Sequence, residues 1–259
     1  MKLSNKYLWI LGIVLSGVIY LIGCTRDDQV VNTTVKVTRG NDVLLARTVT
    51  GDTSKFVLDK VHSNCMWQGS YQGAAGLLTG RFNQFGMANI TTDLMMNYNT
   101  TGQPIPDTAW AFYENDPAKT YFNGYVQVNT SNTGEPGRDT GCNISTLGTI
   151  KVIPGVQNLT QQNLAKIQAK RVEFDPASNA YIVTLDFTWQ GKLTAPLTKT
   201  LTAKLNYIKK NRVQFGTAAA YNVFGLQLLF QFNCRDYGIT STSISDLIQI
   251  EANMNFNNK

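Results

Sequence analysis

From residue 180 the chain alternates between apolar and polar positions with little interruption. Tyr181, Val183, Leu185, Phe187 and Trp189 fall on one side, and Thr184, Asp186, Thr188 and Gln190 on the other. A period of two is that of a strand with one buried and one wet face. Gly191 and Thr194-Ala195-Pro196 supply a turn, and the return run sets Leu201, Ala203, Leu205 and Tyr207 against Thr200, Thr202, Lys204 and Asn206. The same period recurs in Phe224, Leu226, Leu228, Phe230 and Phe232, and in Ile248, Ile250, Ala252, Met254 and Phe256. Earlier, Cys65, Trp67, Gly69 and Tyr71 alternate with Asn64, Gln68 and Ser70; Met66 is the exception on the wet side. After the small-residue hinge Gly73-Ala74-Ala75-Gly76 comes the run GLLTGRF, and Phe122, Gly124, Val126 and Val128 share one side of a further strand.

Three stretches are less regular. Leu94, Met96 and Tyr98 alternate within Ile90 to Tyr98, which predicts a strand. Asn158 to Gln168 reads as a short helix, with Asn158 and Gln161 at capping-box spacing and Leu164 and Ile167 on one face. Between them, NTTGQPIPDTAWAFYENDPAKT has three prolines, Trp110 and Phe112 and little periodicity. A loop of that length either covers one end of the fold or is a surface insertion. The predicted class is all-β. Several strands with one aromatic-rich face, and no long helix to cover it, must close on each other as a barrel or a sandwich.

Composition adds bounds. A hydrophobic content of 43% in 259 residues excludes global disorder and allows one large all-β domain. The N-terminus has a basic start and then an apolar run from Leu8 to Gly23, the pattern of a secretory signal and short for a membrane span. It ends Leu21-Ile22-Gly23-Cys24, which resembles the lipobox of bacterial lipoproteins. That resemblance implies cleavage before Cys24 and a diacylglycerol on its thiol, since sulfur is the nucleophile that accepts the lipid. Residues 1–23 are then a signal peptide, 24–53 a lipid anchor and polar tether, and 54–257 the barrel domain. Within 25–53, the runs VNTTVKV and VLLARTV flank Arg39-Gly40-Asn41-Asp42 as an extra hairpin. Thr25, rather than an acidic residue, follows the cysteine; by the sorting rule of enterobacterial lipoproteins, the resemblance then implies the outer membrane, with the domain facing the periplasm. Losing Lys2 and Lys6 leaves 21 basic and 17 acidic residues, a net charge of +4. With that excess spread thinly, nucleic acid is not an expected partner.

Catalytic chemistry finds little support. The one histidine, His62, neighbours Ser63, but adjacent residues on an extended chain point to opposite faces and cannot form a nucleophile–base pair. There is no Gly-x-Ser-x-Gly elbow and no phosphate-cradling Gly-rich loop. Four cysteines without Cys-x-x-Cys spacing and a single histidine do not form a zinc set. The expectation is a non-enzyme without metal or cofactor.

Four motifs carry a wider resemblance. Asp59, His62 and Ser63 precede the first hairpin, which ends in Gly80, Arg81, Phe82 and Phe85. Arg138-Asp139 follows the Thr133-Gly134 turn, Gly191 and a proline mark the later hairpin, and Asn233, Asp236, Tyr237, Gly238 and Ile239 close the last motif. Their order over residues 54–257 resembles the YceI-like family. Cys234 departs from it, standing where an arginine is expected, as do Thr140, Gly141 and Cys142 after the Arg-Asp pair. The resemblance implies an antiparallel, lipocalin-like eight-stranded barrel, with a short helix and long loops, that holds a polyisoprenoid lipid. The bound ligand is then an isoprenoid lipid or quinone, and the membrane is a second partner through the anchor. Trp67, Tyr71, Phe82, Val126, Phe187, Trp189, Phe230 and Ile250 are the expected cavity lining, with Arg81 and Arg138 either head-group contacts or ordinary structural staples. With Cys24 lipidated, at most one disulfide can form. Cys142–Cys234 is favoured because each interrupts a family motif near a strand end, leaving Cys65 as a small buried hydrophobe. The alternative is a structural or interaction lipoprotein whose barrel core is filled by its own side chains.

Overall fold

The computed structural model describes residues 37, 40, 42–47, 55–71, 76–139 and 158–259. These fall within one compact unit, 36–259. The expected signal peptide, Cys24, Cys142 and the tip of the first hairpin lie outside the described residues.

The strands in chain order are β1 (Val43–Leu45), β2 (Val57–Leu58), β3 (Asn64–Tyr71), β4 (Gly76–Phe82), β5 (Phe85–Gly86), β6 (Trp110–Tyr113), β7 (Tyr121–Gln127) and β8 (Ser131–Asn132), followed by β9 (Leu164–Asp175), β10 (Ala180–Trp189), β11 (Leu197–Val213), β12 (Tyr221–Asn233) and β13 (Leu247–Asn257). All the ladders between them are antiparallel, and β9-β10-β11-β12-β13-β3-β4 are successive neighbours. The ring closes through one chain segment, residues 121–132. Its first part, β7, pairs with β9 and with β5, whereas its end, β8, pairs with β4. Between these short ladders Asn83 N donates to Thr130 O at 3.1 Å and Gln127 N to Gln84 O at 2.9 Å. With β4–β5 as one wall and β7–β8 as another, the barrel has eight antiparallel walls. Closure leaves this ring without a free edge.

The alternation along β10 is reproduced without a slip. Tyr181, Val183, Leu185, Phe187 and Trp189 are buried, and the intervening residues are only partly so. The turn after β10 depends on Gly191, whose φ of 56° and approach to Tyr237 O leave no room for a Cβ.

Two elements differ from the sequence reading. Residues 92–101 are a helix, α1 (Thr92–Thr101), and not a strand. Thr91 Oγ1 accepts from Leu94 N at 3.2 Å, Asp93 stands in the first turn, and Gly102 takes the left-handed position after the end. Met95 and Tyr98 then pack with Ile90, Ile105, Tyr125 and Leu164 in a satellite cluster on the outer side of β7 and β9. The Asn158–Gln168 helix is also absent. Thr160 N donates to Asn163 Oδ1 at 2.7 Å and Asn163 Nδ2 to Asn158 O at 2.9 Å, forming a single turn. From Leu164 the chain is strand, because β7 and β10 offer ladders on both edges that override the helix preference of Ala, Lys and Gln.

The fold also reaches further toward the N-terminus than residue 54. Val37, Leu44 and Ala46 belong to the core, and β1 pairs with β6.

Candidate functional site

The interior divides along the strands. At the end marked by Tyr181, Tyr207, Phe224 and Phe256 it is solid. Strand β6, in the middle of the proline-rich stretch, brings in Trp110 and Phe112, each 1% exposed. Trp110 lies 4.5 Å from Phe256 and 5.9 Å from Phe224, which stacks on Phe256 at 4.6 Å. Phe112 meets Tyr181 at 5.2 Å and Tyr207 at 4.8 Å. Such tilted and offset contacts suit the ring quadrupoles. That stretch is therefore a plug at one end and not a surface insertion. Glu114, 1% exposed, follows β6 and accepts a hydrogen bond from the Tyr207 hydroxyl. Burial pushes its carboxyl above the ordinary value, the Tyr207 bond opposes the shift, and Asp42 adds to it.

The other end is hollow. A cavity of about 110 Å³, measured as the space open to the centre of a water-sized sphere, runs between Trp67, Phe82, Val126, Phe187, Trp189, Phe230 and Ile250. One water needs only about 10–15 Å³ of such space. The inward-facing Phe85, Val126 and Ile167 are only partly buried, since protein does not fill the space before them. The lining is almost wholly apolar, so without a ligand the cavity stays dry rather than filling with ordered water. Lys166 contributes the one ionisable cation of the lining, but its cross-strand partner is the outward Thr188, so its charge stands on the outer face. Cys65 and Cys234 also line it. Burial pushes the Cys65 thiol up to about 12, which makes it an inert hydrophobe at neutral pH.

Seven of the eight expected lining residues are thus brought together. Tyr71 is not among them. Although it shares the inward parity of Trp67, it lies at the last position of β3, 44% exposed, paired with Gly76 and bridged to Ile244. Arg81 is exposed on the outer face, as the alternation Gly80-Arg81-Phe82 requires once Phe82 faces inward. It stands in a polar groove with Gln68, Thr79 and Gln249. Arg138 lies in a short helical turn where its backbone N–H is taken by Glu135, and Asp139 accepts from Thr133 N at 3.0 Å. Neither arginine reaches the cavity. Cys234 carries no disulfide; its Sγ approaches Ser245 O at 3.4 Å, while Cys142 lies outside the described residues. Contributors outside the expected lining include Ile167, concealed by the helix assignment, Ile244, and Phe122 and Phe232, which the alternation places on the same sides as Val126 and Phe230.

The end near Trp189 is organised by the last motif. Arg235 Nε meets Asp246 Oδ1 at 2.8 Å, Nη1 donates to Ile239 O and Ser241 O at 2.8 Å, and Nη2 to Ile244 O at 2.6 Å. The arginine is therefore spent on holding this loop. At the start of β3, His62 Nδ1 lies 2.8 Å from Asp59 Oδ2 and Ser63 Oγ donates to Asp59 O at 2.6 Å. Both bind the same aspartate rather than each other, a structural cap with no nucleophile–base pair.

Fold and cavity together define an antiparallel eight-stranded barrel with a half-hollow apolar interior. No family model matches the chain, and neither does any curated protein. Among solved structures it is similar to BcnA of Burkholderia cenocepacia, at 13% identity and a TM-score of 0.47, over 76% of this chain and 98% of that one. It is also similar to a polyisoprenoid-binding domain from Saccharophagus degradans implicated in plant cell wall breakdown, at 13% identity and 0.42, over 78% and 97%. The YceI protein of Campylobacter jejuni is a third, at 14% identity and 0.41, over 70% and 85%. The family whose motifs the sequence resembles is thus represented among them.

Proposed function

We propose that the protein binds an isoprenoid lipid in the hollow half of the barrel. The observation that carries this reading is a dry, aromatic-lined cavity into which none of the described residues turns a charge. A linear hydrocarbon chain suits such a space. Each buried carbon contributes about 0.8 kcal/mol, so one five-carbon unit offers an upper bound of roughly 4 kcal/mol before ordering costs. A few units bind tightly without a specific head-group contact. The filled-core alternative describes the plug half only. In this reading the protein is a carrier or binding lipoprotein and not an enzyme, held to the bacterial envelope through Cys24 and facing the periplasm, with the outer membrane favoured.

A ligand that binds only the folded state raises its thermal midpoint with ligand concentration. Titrating the delipidated protein with prenyl chains of increasing length should give a shift that grows with length and concentration. The absence of any shift, together with the absence of co-purifying lipid, would leave the filled-core reading standing. The anchor is tested separately: Cys24→Ala should leave an unprocessed precursor without fatty-acid label, and persistent labelling would overturn it.

A further inference from the structure

Three tryptophans are described, all buried, and their indole N–H groups do not fare alike. Trp67 Nε1 donates to Ser131 Oγ at 2.8 Å, and Trp110 Nε1 to Asp107 O at 3.2 Å. Trp189 Nε1 is buried with no hydrogen-bond partner among the described residues. An indole nitrogen is a donor only, so nothing but an acceptor can satisfy it, and leaving it unmade forfeits the hydration it had in the unfolded chain. Trp189 is 3% exposed and lines the cavity, with Phe232 at 6.1 Å and Tyr237 at 5.5 Å beside it. The polar groups nearby are occupied elsewhere. Tyr237 donates to Phe187 O at 3.4 Å, Cys234 reaches Ser245 O, and Arg235 is tied to Asp246 and three carbonyls. Arg235, the cation of this motif, is therefore engaged, and Lys166, the one lysine or arginine among the described residues that line the cavity, has its charge on the outer face.

We propose that the Trp189 N–H is the polar anchor of the cavity, donating to an uncharged acceptor at the head of the ligand. A carbonyl, hydroxyl or ether oxygen has the required lone pair without needing a counter-charge. The head then lies at the Trp189–Tyr237 end, and the hydrocarbon runs toward Leu228 and Met254. Polar recognition thus falls to an aromatic residue rather than to an arginine. This refinement rests on the isoprenoid reading, and its test separates the two.

The probes are a farnesyl-substituted benzoquinone, farnesyl phosphate and the bare hydrocarbon farnesane, each titrated against the full-length chain carrying ¹⁵N-labelled indoles. The quinone should bind about five- to tenfold tighter than farnesane, the worth of one net hydrogen bond. It alone should move the Trp189 indole signal, and farnesyl phosphate should not exceed it. In Trp189→Phe the preference for quinone should vanish while farnesane still binds, showing that the cavity persists. Equal binding of quinone and hydrocarbon by the wild type, a quinone that moves a different indole signal, or tighter binding of the phosphate would overturn the anchor and leave the isoprenoid reading intact. Failure of all three probes to bind would overturn both. If Trp189→Phe does not fold, the wild-type affinities and indole signal decide alone.

Discussion

Tyr181 and Trp189 sit at opposite ends of β10 and face the same interior, yet they meet different neighbours. Tyr181 is enclosed by Phe112 and Phe174, with ring contacts at 5.2 and 5.3 Å. Trp189 touches Phe232 and Tyr237 on one side and borders empty space on the other. The strands that form both halves are the same, so strand pattern does not explain the difference. Among the described residues, what separates them is β6, which adds Trp110 and Phe112 to one half, whereas the segment that brings Tyr237, Ile239 and Ile244 to the other leaves a cavity there. Alternation decides which side chains face inward. Whether the barrel is full depends on what enters through its end.

The largest test of this contrast lies in the plug. Trp110→Ala should cost about 3–5 kcal/mol of unfolding free energy in denaturant titration, with or without lipid, because tightly packed rings collapse poorly around a hole. Phe230→Ala, on the cavity wall, should cost roughly 2 kcal/mol in the lipid-free protein, since its ring already lacks neighbours on one side. Its main effect should be on lipid retention. Equal losses for the two variants would erase the distinction between the halves. Enlarging substitutions sharpen it. Val183→Phe, in the filled half, should destabilise by about 1–3 kcal/mol through overpacking. Ala252→Phe, on the cavity lining, should be neutral or stabilising by roughly 0.5–2 kcal/mol while excluding lipid.

The smallest effect is electrostatic. Glu114 has its folded-state pKa raised by burial, so the protonated form is favoured in the fold. Its contribution to stability is complete below the ordinary carboxylate value and is lost as pH rises through the raised one. Glu114→Gln keeps an acceptor for Tyr207 and removes the ionisation. Unfolding measured from about pH 4 to pH 7 should show a flatter slope in the variant. An unchanged slope would mean that the plug does not feel this carboxyl.

Much of this was legible in the chain. The faces of β10, β11, β12 and β13 follow from period two alone, and the parity that places Phe187, Phe230 and Ile250 inward is correct. The failures have separate causes. Tyr71 shows that parity gives face but not depth, since a residue of inward parity can lie at the strand's end. Of the two readings of Arg81, head-group contact or staple, its position next to inward Phe82 already disfavours the first by turning it outward. At Leu94, Met96 and Tyr98 the alternation was real but accidental, and the caps Thr91 and Gly102 carried the true signal. Leu164 to Asp175 contains good helix formers that two neighbouring strands outweigh. The plug strand is only four residues long and flanked by prolines, too short for periodicity to show. The closing segment is split by the turn Val128–Thr130, so neither half of its pairing is visible as a long run. The unpaired indole of Trp189 depends on what its neighbours bind, and no pattern in the sequence records that.

The central claim is that the hollow half holds a prenyl chain. Its most direct test is an organic extract of the protein purified from its native cells, read by mass spectrometry beside the Ala252→Phe variant. The account predicts a prenyl-chain lipid in a fixed ratio to wild-type protein, and its loss from a variant that is folded and at least as stable. An extract without lipid, or one in which the filled-cavity variant carries as much as the wild type, would contradict it.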